Sequence, residues 1–441
     1  MAGGVWTTQN KTRTGVYINF VSEASPLGSV GERGIAAFPA SLPWGNPGLI
    51  ILDAATYMDE ALPRVGFHAG DGRIRHITAA LAHARRVLIY RLGAQGAAKA
   101  TVTIGKLTAT AKWAGLRGND LSLVVRQTLD DEDTFEVLTL LEGEEVDRQT
   151  AGTVEELTAS DFIDWSGTGA LTASAGAPLT GGTAGTATGG EYSAALAAFE
   201  PEDFNVLGIP VDDLPTKQLA VSYVKRLRDE GKKVVAVVVG YPDADHEGVI
   251  SLKNSVVTTD GLTVEPTCLL WEIAGMTAAA GMNQSLTYQS IPGAVDAHPR
   301  LSNAETEQAL RNGELVITAS DGRAYIEQDI NTLTSFTPEK GRPFSKNRVI
   351  RVLDSIANDL KRIFELYYLG KVSNDADGRS MLRSEMVTYL ESLQSMRAIQ
   401  NFDPQRDIFI TMGTASDSVY VELAVQPVDA IEKIYMKVTV R

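Results

Sequence analysis

Five histidines, a single cysteine and a few clustered carboxylates are the residues in these 441 positions whose types could do chemistry. His76 and His83 stand seven apart on one expected helix, so they share a face two turns apart. One metal ion wants ligands a single turn apart, at i, i+3 or i, i+4. The other histidines are His68, His246 and His298. His246 lies in DADHE (243–247), just after the apolar run VVAVVV (234–239). Active sites of α/β proteins sit beyond such strand ends, where carboxylates and an imidazole could hold a divalent cation or exchange protons. The plainer reading is a solvated loop entered through Pro242. Cys268 sits beside Leu269, Leu270 and Trp271 and reads as a buried, inert thiol. Asp53, Asp59 and Glu60 could pair as carboxylates, but no base accompanies them.

Motifs with a mechanism are missing. There is no G-x-x-x-x-G-K-[ST] phosphate loop and no G-x-S-x-G elbow. The glycines at 181–190 follow no strand, so they do not form a dinucleotide fingerprint. No catalytic, cofactor-binding or metal residue is assigned, and no cofactor is expected.

The elements that would have to position a site are mixed. TGVYINFV (14–21) alternates with period two, placing Val16, Ile18 and Phe20 on one face. Residues 25–95 read as the first part of an α/β domain, with a helix from Gly72 to Ala84 and a strand at 87–92. Residues 96–190 read as an inserted small all-β domain. Between Gln127 and Ala170 it carries thirteen acidic residues against one basic residue, Arg148, so most of it needs solvent. It ends in a Gly/Ala/Thr-rich stretch (166–190) with the composition of a linker.

Residues 191–335 return to α/β. A strand at 204–210, a helix from Pro215 to Glu230 with Leu219, Tyr223, Val224 and Leu227 on one face, and the apolar strand 234–239 predict a parallel β–α–β pair. Residues 336–424 read as α+β, with a helix from Val349 to Leu369 striped by Leu353, Ile356, Leu360, Ile363, Phe364 and Tyr367. In the segment 425–441, Ile434, Met436, Val438 and Val440 alternate with Tyr435, Lys437, Thr439 and Arg441. The fold class is thus α/β and α+β multidomain, with an inserted β domain and strand-forming arms at 1–24 and 425–441.

Charge and composition narrow the function. Forty basic against 55 acidic residues leave a net charge of −15, which lacks the basic footprint of a nucleic-acid binder or of a protein that docks on anionic lipid. One cysteine excludes an internal disulfide framework and fits a reducing cytosol. No apolar run approaches the roughly 20 residues of a membrane span. The leader MAGGVWTTQNKTRTG has no signal-peptide core. A strand with no sequence-near partner folds into its own sheet or adds to a neighbour's, and one such strand at each end would link copies into an open array.

Four stretches resemble the contractile-tail sheath proteins of myophages, defective prophages and phage-tail-like bacteriocins. They are TGVYINFVSEASPLGSVGERGIAAFPASLPWGNPG (14–48), AKWAGLRGNDLSLVV (111–125), SLTYQSIPGAVDAHPRLSNAETEQALRNGELVI (285–317) with DINTLTSF (329–336), and NFDPQRDIFI (401–410) with VELAVQPVDAIEKIYMKVTV (421–440). DINTLTSF is the most specific of them.

The resemblance implies a structural, non-enzymatic subunit that polymerises as stacked six-membered rings around a tail tube and contracts to drive the tube through a cell envelope. It implies baseplate and tail terminator partners, no direct nucleic acid and no membrane insertion. Synthesis would be in a bacterial host cytoplasm, followed by incorporation into a virion tail or released tail-like particle. The arms would donate strands through Val16, Ile18 and Phe20 and through Ile434, Met436, Val438 and Val440. The C-terminal domain would lie innermost and the insertion outermost. Lys340 to Arg441 holds fifteen basic and thirteen acidic residues, which suits a surface turned to an acidic tube. Two other readings stay open on the residues alone: an α/β hydrolase or cofactor-binding enzyme with a β insertion, and a static tube or capsid protein.

Overall fold

The structure, a computed structural model, describes residues 2–4, 15–17, 31–129 and 133–440. Contacts divide the chain into two compact units, Gly31–Asn358 with Pro427–Arg441, and Met1–Val30 with Asp359–Gln426.

The first unit is built on a seven-stranded sheet in the order Glu314–Leu315, Val249–Leu252, Val235–Val239, Val206–Gly208, Ile35–Ser41, Arg86–Leu92, Gly48–Asp53. Six strands run parallel and Gly48–Asp53 closes the edge antiparallel to Arg86–Leu92. Parallel strands are covered on both faces, which is why Val235–Val239 is buried at every position. One face packs the helices Tyr57–Val65, Arg75–Leu81 and Pro266–Ala279; the other packs Gly189–Phe199 and Leu214–Asp229. The expected β–α–β pair is parallel, with Val206 opposite Val235. Its helix starts where the Asp213 side chain accepts the Thr216 N–H at 2.9 Å. Tyr223, Val224 and Leu227 are buried, whereas Leu219 faces solvent.

Close approach sets the residue choice at one point. Phe38 stacks on Trp271 with ring centroids 3.9 Å apart, and a Cβ on Gly208 would stand 2.2 Å from the Phe38 ring. Cys268 corrects the sequence reading: it is exposed, because the first turn of its helix turns Leu269 and Leu270 to the core and the preceding position outward.

The insertion is two packed sheets. Glu144–Ala151, Phe135–Leu141, Leu121–Gln127 and Ser174–Pro178 form one; Ile163–Gly167, Leu107–Ala111 and Thr101–Ile104 form the other. Leu121, Leu123, Leu141, Ala109 and Ile163 fill the space between them. The stretch 166–190 is more than a linker. It supplies the strand Ser174–Pro178, and the Asn119 side chain exchanges two 2.8 Å hydrogen bonds with the Gly182 backbone. Its small residues let backbone meet backbone: a Cβ on Gly185 would stand 2.5 Å from the Gly93 carbonyl oxygen.

Two buried arginines fasten the insertion to the central domain. Arg91, on the strand Arg86–Leu92, donates to the carbonyls of Leu42, Gly45 and Ala114. Arg117 donates to the Gly66 carbonyl at 2.8 Å and to Asp120 and Glu142, with its guanidinium over Phe67.

The helix Asn347–Tyr367 departs from the expected stripe. Ile356 and Ile363 are buried, but Tyr367 is exposed and the buried face also takes Arg351, Asp354 and Asp359. A stripe read from apolar residues misses these because burying a charge is unfavourable unless it is paired, and each is. Asp354 receives two hydrogen bonds from Arg228, at 2.6 and 2.8 Å. Asp359 accepts from the Tyr389 hydroxyl at 2.8 Å. In the second unit the helix Ala376–Ser395 precedes a hairpin of Ile408–Met412 and Val419–Leu423.

Asp354→Ala would strand the Arg228 guanidinium in a dry site. The expected loss is roughly 3–5 kcal/mol, read as a lowered denaturation midpoint. A loss no larger than that of a surface Asp→Ala control would show the pair to be dispensable.

Candidate assembly surface

Chemistry-bearing residues come together at DINTLTSF, and they act as fasteners. Asp329 is 1% exposed. Its carboxylate accepts from the Leu286 N–H at 3.0 Å, from the Asn347 side chain at 2.9 Å and from Arg351. Its own N–H donates to the Thr287 hydroxyl at 3.0 Å. Asn331 donates to the Phe344 carbonyl at 2.9 Å. The Thr332 hydroxyl accepts from the His246 N–H and donates to the His246 carbonyl, both at 3.1 Å.

The DADHE loop is the counterpart of this motif. Asp245 accepts from the backbone N–H groups of Thr334 and Ser335 at 2.8 and 3.0 Å. Burial alone would raise its carboxyl pKa; the donors from Ser335 and Thr334 outweigh that and hold it at about 2. Glu247 is buried against Lys340 at 2.8 Å. His246 accepts the Gly248 N–H on Nδ1 at 3.0 Å, and burial lowers its pKa to about 4 against the opposing pull of Glu247. The polar groups of 245–247 are thus engaged by residues 332–340 and by their own backbone. Among the described residues no group of three or more His, Cys, Asp or Glu could hold a metal ion.

The same network reaches the segment 427–440. The Thr287 hydroxyl donates to Glu432 at 3.0 Å, and Lys346 pairs with the other Glu432 oxygen. Glu432 is largely shielded, while every other residue from Ile431 to Val440 is exposed. Ile434 and Met436 are each 79% exposed, Val438 75% and Val440 93%. From Val428 to Val440 no ladder forms with any described residue. The alternation foreseen in the sequence is therefore present without a sheet to serve, because a strand exists only by its partner's hydrogen bonds. At the other end, Val16 lies in Gly15–Tyr17, which pairs parallel with Ala2–Gly4. Ile18 and Phe20 lie outside the described residues.

The hairpin Ile408–Met412/Val419–Leu423 has no third strand among the described residues. It exposes Phe409, Met412 and Tyr420. Two-stranded sheets are marginal in water, and exposed apolar patches mark interaction sites. Sequence reading missed both the exposed apolar face of this hairpin and Glu432 as an anchor. The signal for the second was present: position 432 falls on the apolar side of the alternation 434, 436, 438, 440, and it is charged.

Three family models match the chain: "Phage tail sheath protein beta-sandwich domain" over residues 94–186, "Phage tail sheath protein central domain" over 185–332, and "Phage tail sheath C-terminal domain" over 339–441. The phage-like element PBSX protein XkdK of Bacillus subtilis is 35% identical, with both chains covered in full. The sheath tail protein of Desulfitobacterium hafniense, solved by crystallography, is 49% identical with a TM-score of 0.86, covering 96% of this chain and 99% of that one. The helical sheath of the anti-feeding prophage in its contracted state shares the fold at 13% identity, with a TM-score of 0.58 and coverage of 98% and 99%.

Two outcomes test the network. Glu432→Ala removes a charge-assisted bond worth about 1.5–3 kcal/mol, so the Leu286 and Asp329 amides, which are hydrogen-bonded in the same network, should exchange hydrogen roughly tenfold or more faster. Unchanged exchange would remove Glu432 as the anchor. For His246 and His76, burial holds the folded pKa at about 4, below the unfolded value near 6.5. The unfolded chain therefore binds more protons in that window, and stability falls as the pH drops from about 6.5 toward 4. At pH 5 each should cost roughly 1–2 kcal/mol in denaturant melts, and His246→Asn should remove its share of the slope. Parallel slopes for variant and parent would contradict this.

Proposed function

The chain belongs to the phage tail sheath protein family and is a structural sheath subunit; from that premise we propose that its segment 425–441 is a donor strand for a neighbouring copy. One observation carries the reading. A run of alternating apolar residues, anchored at Glu432, stands exposed with no ladder to any described residue. Fully extended, Lys433–Val440 would reach about 26 Å, at roughly 3.3 Å per residue. Its acceptor is the hairpin Ile408–Met412/Val419–Leu423 of the next copy. Strand addition there would bury about 1.5–3 kcal/mol of transfer free energy per apolar side chain and add about 0.5–1.5 kcal/mol per hydrogen bond. Those gains exceed the ordering cost of about 1–2 kcal/mol per residue only when several side chains bury together.

The arm 1–24 completes the link through Val16, Ile18 and Phe20. Copies joined at both ends form stacked six-membered rings around a tail tube, bounded by baseplate and tail terminator proteins. Domain 336–424, whose twelve basic and twelve acidic residues cancel, faces the tube, and insertion 96–190, strongly acidic, faces outward. Contraction needs contacts that differ between two lattices, with the arms as tethers that hold throughout. No helix among the described residues is long and apolar enough to cross a membrane. The protein is made in a bacterial host cytoplasm and serves in a phage tail or tail-like particle. Its role is mechanical rather than enzymatic.

Deleting residues 1–22, or 433–441, should leave a soluble folded monomer that forms no tubes in negative-stain micrographs, while the full chain forms them. Tubes of normal diameter from either deletion would refute the donor-strand reading.

A further inference from the structure

A groove of about 670 Å³ opens beside the anchored segment. Leu310, Ile330 and Phe336 give it an apolar floor, with the Phe336 ring 47% exposed. Arg342, Lys346 and Lys433 stand on its rim. A fourth cation, Arg311, is matched by Glu307 at 3.1 Å one turn earlier on the same helix. Lys346 is shared with Glu432. Neither Arg342 nor Lys433 has an acidic partner among the described residues. Four cations against one lining carboxylate is an inversion of the whole chain, which carries a net charge of −15.

We infer that this groove is a docking surface for a second copy of the same chain, which inserts an acidic segment carrying an apolar side chain. The occupant follows from charge and place. Every copy presents an acidic excess, so the groove attracts its own kind, and like-charged copies need such a patch to meet in one register. Lys433 directly follows the anchor Glu432. On the donor-strand reading, on which this inference rests, the neighbour engaged by residues 433–440 therefore arrives beside the groove. The apolar floor fixes position, and the rim selects a carboxylate-bearing partner over a neutral one.

The test uses the full chain and the double reversal Arg342→Glu with Lys433→Glu. By sedimentation, the concentration at which the parent polymerises should rise with NaCl from about 0.1 M, since exposed charges are screened. The variant should need roughly tenfold more protein at low salt and respond less to added salt. If parent and variant share one threshold and one salt dependence, the groove is not a docking surface. A second measurement stands apart from polymerisation. A photoreactive phenylalanine analogue at position 336 should cross-link one copy to an acidic segment of another, and the product should vanish with the reversal or at high salt. Cross-links confined to a single chain, or indifferent to salt, overturn the inference. A parent that never polymerises sinks the donor-strand reading instead, and the cross-link still decides the groove.

Discussion

The Asp329 carboxylate is the interaction on which the rest of the first unit depends. A buried carboxylate is tolerated only when cations and donors surround it. Here Arg351 and Asn347 come from the start of the long helix, the Leu286 N–H comes from a loop, and the Asp329 N–H extends the chain of bonds to Thr287. Thr287 passes it on to Glu432. The carboxylate holds two other stretches directly, and Thr287 links a third to them. Such a network is satisfied as a whole or not at all, which makes the exit point of residues 433–440 a fixed feature.

That fixity sits beside its opposite. Arg228 and Asp354, Arg91 and its three carbonyls, Arg117 with Asp120 and Glu142, and Asp245 with residues 334–335 all use buried or half-buried polar bonds to join elements that apolar packing alone would leave free to slide. The segment beyond Glu432 makes none of these bonds and keeps its apolar side chains in water. A subunit that must move as a body yet stay tied to its neighbours would need this division: a stiff frame and an arm whose binding free energy is left unspent within its own copy.

Much of the frame was legible in the chain. Val235–Val239 announces itself because a strand covered on both faces reads as an unbroken apolar run. The helix Leu214–Asp229 follows from the spacing of Tyr223, Val224 and Leu227, which share one face. The fastening residues were not legible as such. Asp329 and Arg351 are 22 positions apart and Arg228 and Asp354 are 126 apart, and no local period relates them. The loop 243–247 looked like a site because its residue types are those of one. Its groups instead satisfy the backbone of 334–335 and the side chains of 332 and 340.

By itself the sequence determined the alternation of strands and helices, the acidic insertion, the strand-forming ends and the likeness carried by DINTLTSF. Those depend on neighbours along the chain, whose spacing is fixed by the covalent backbone. Only the tertiary structure decided that DINTLTSF is a knot of buried polar bonds, that Glu432 anchors the arm, that Cys268 faces outward and that a basic groove interrupts an acidic surface. Each of these depends on which distant residues meet, and that is set by how the packed elements exclude water from one another.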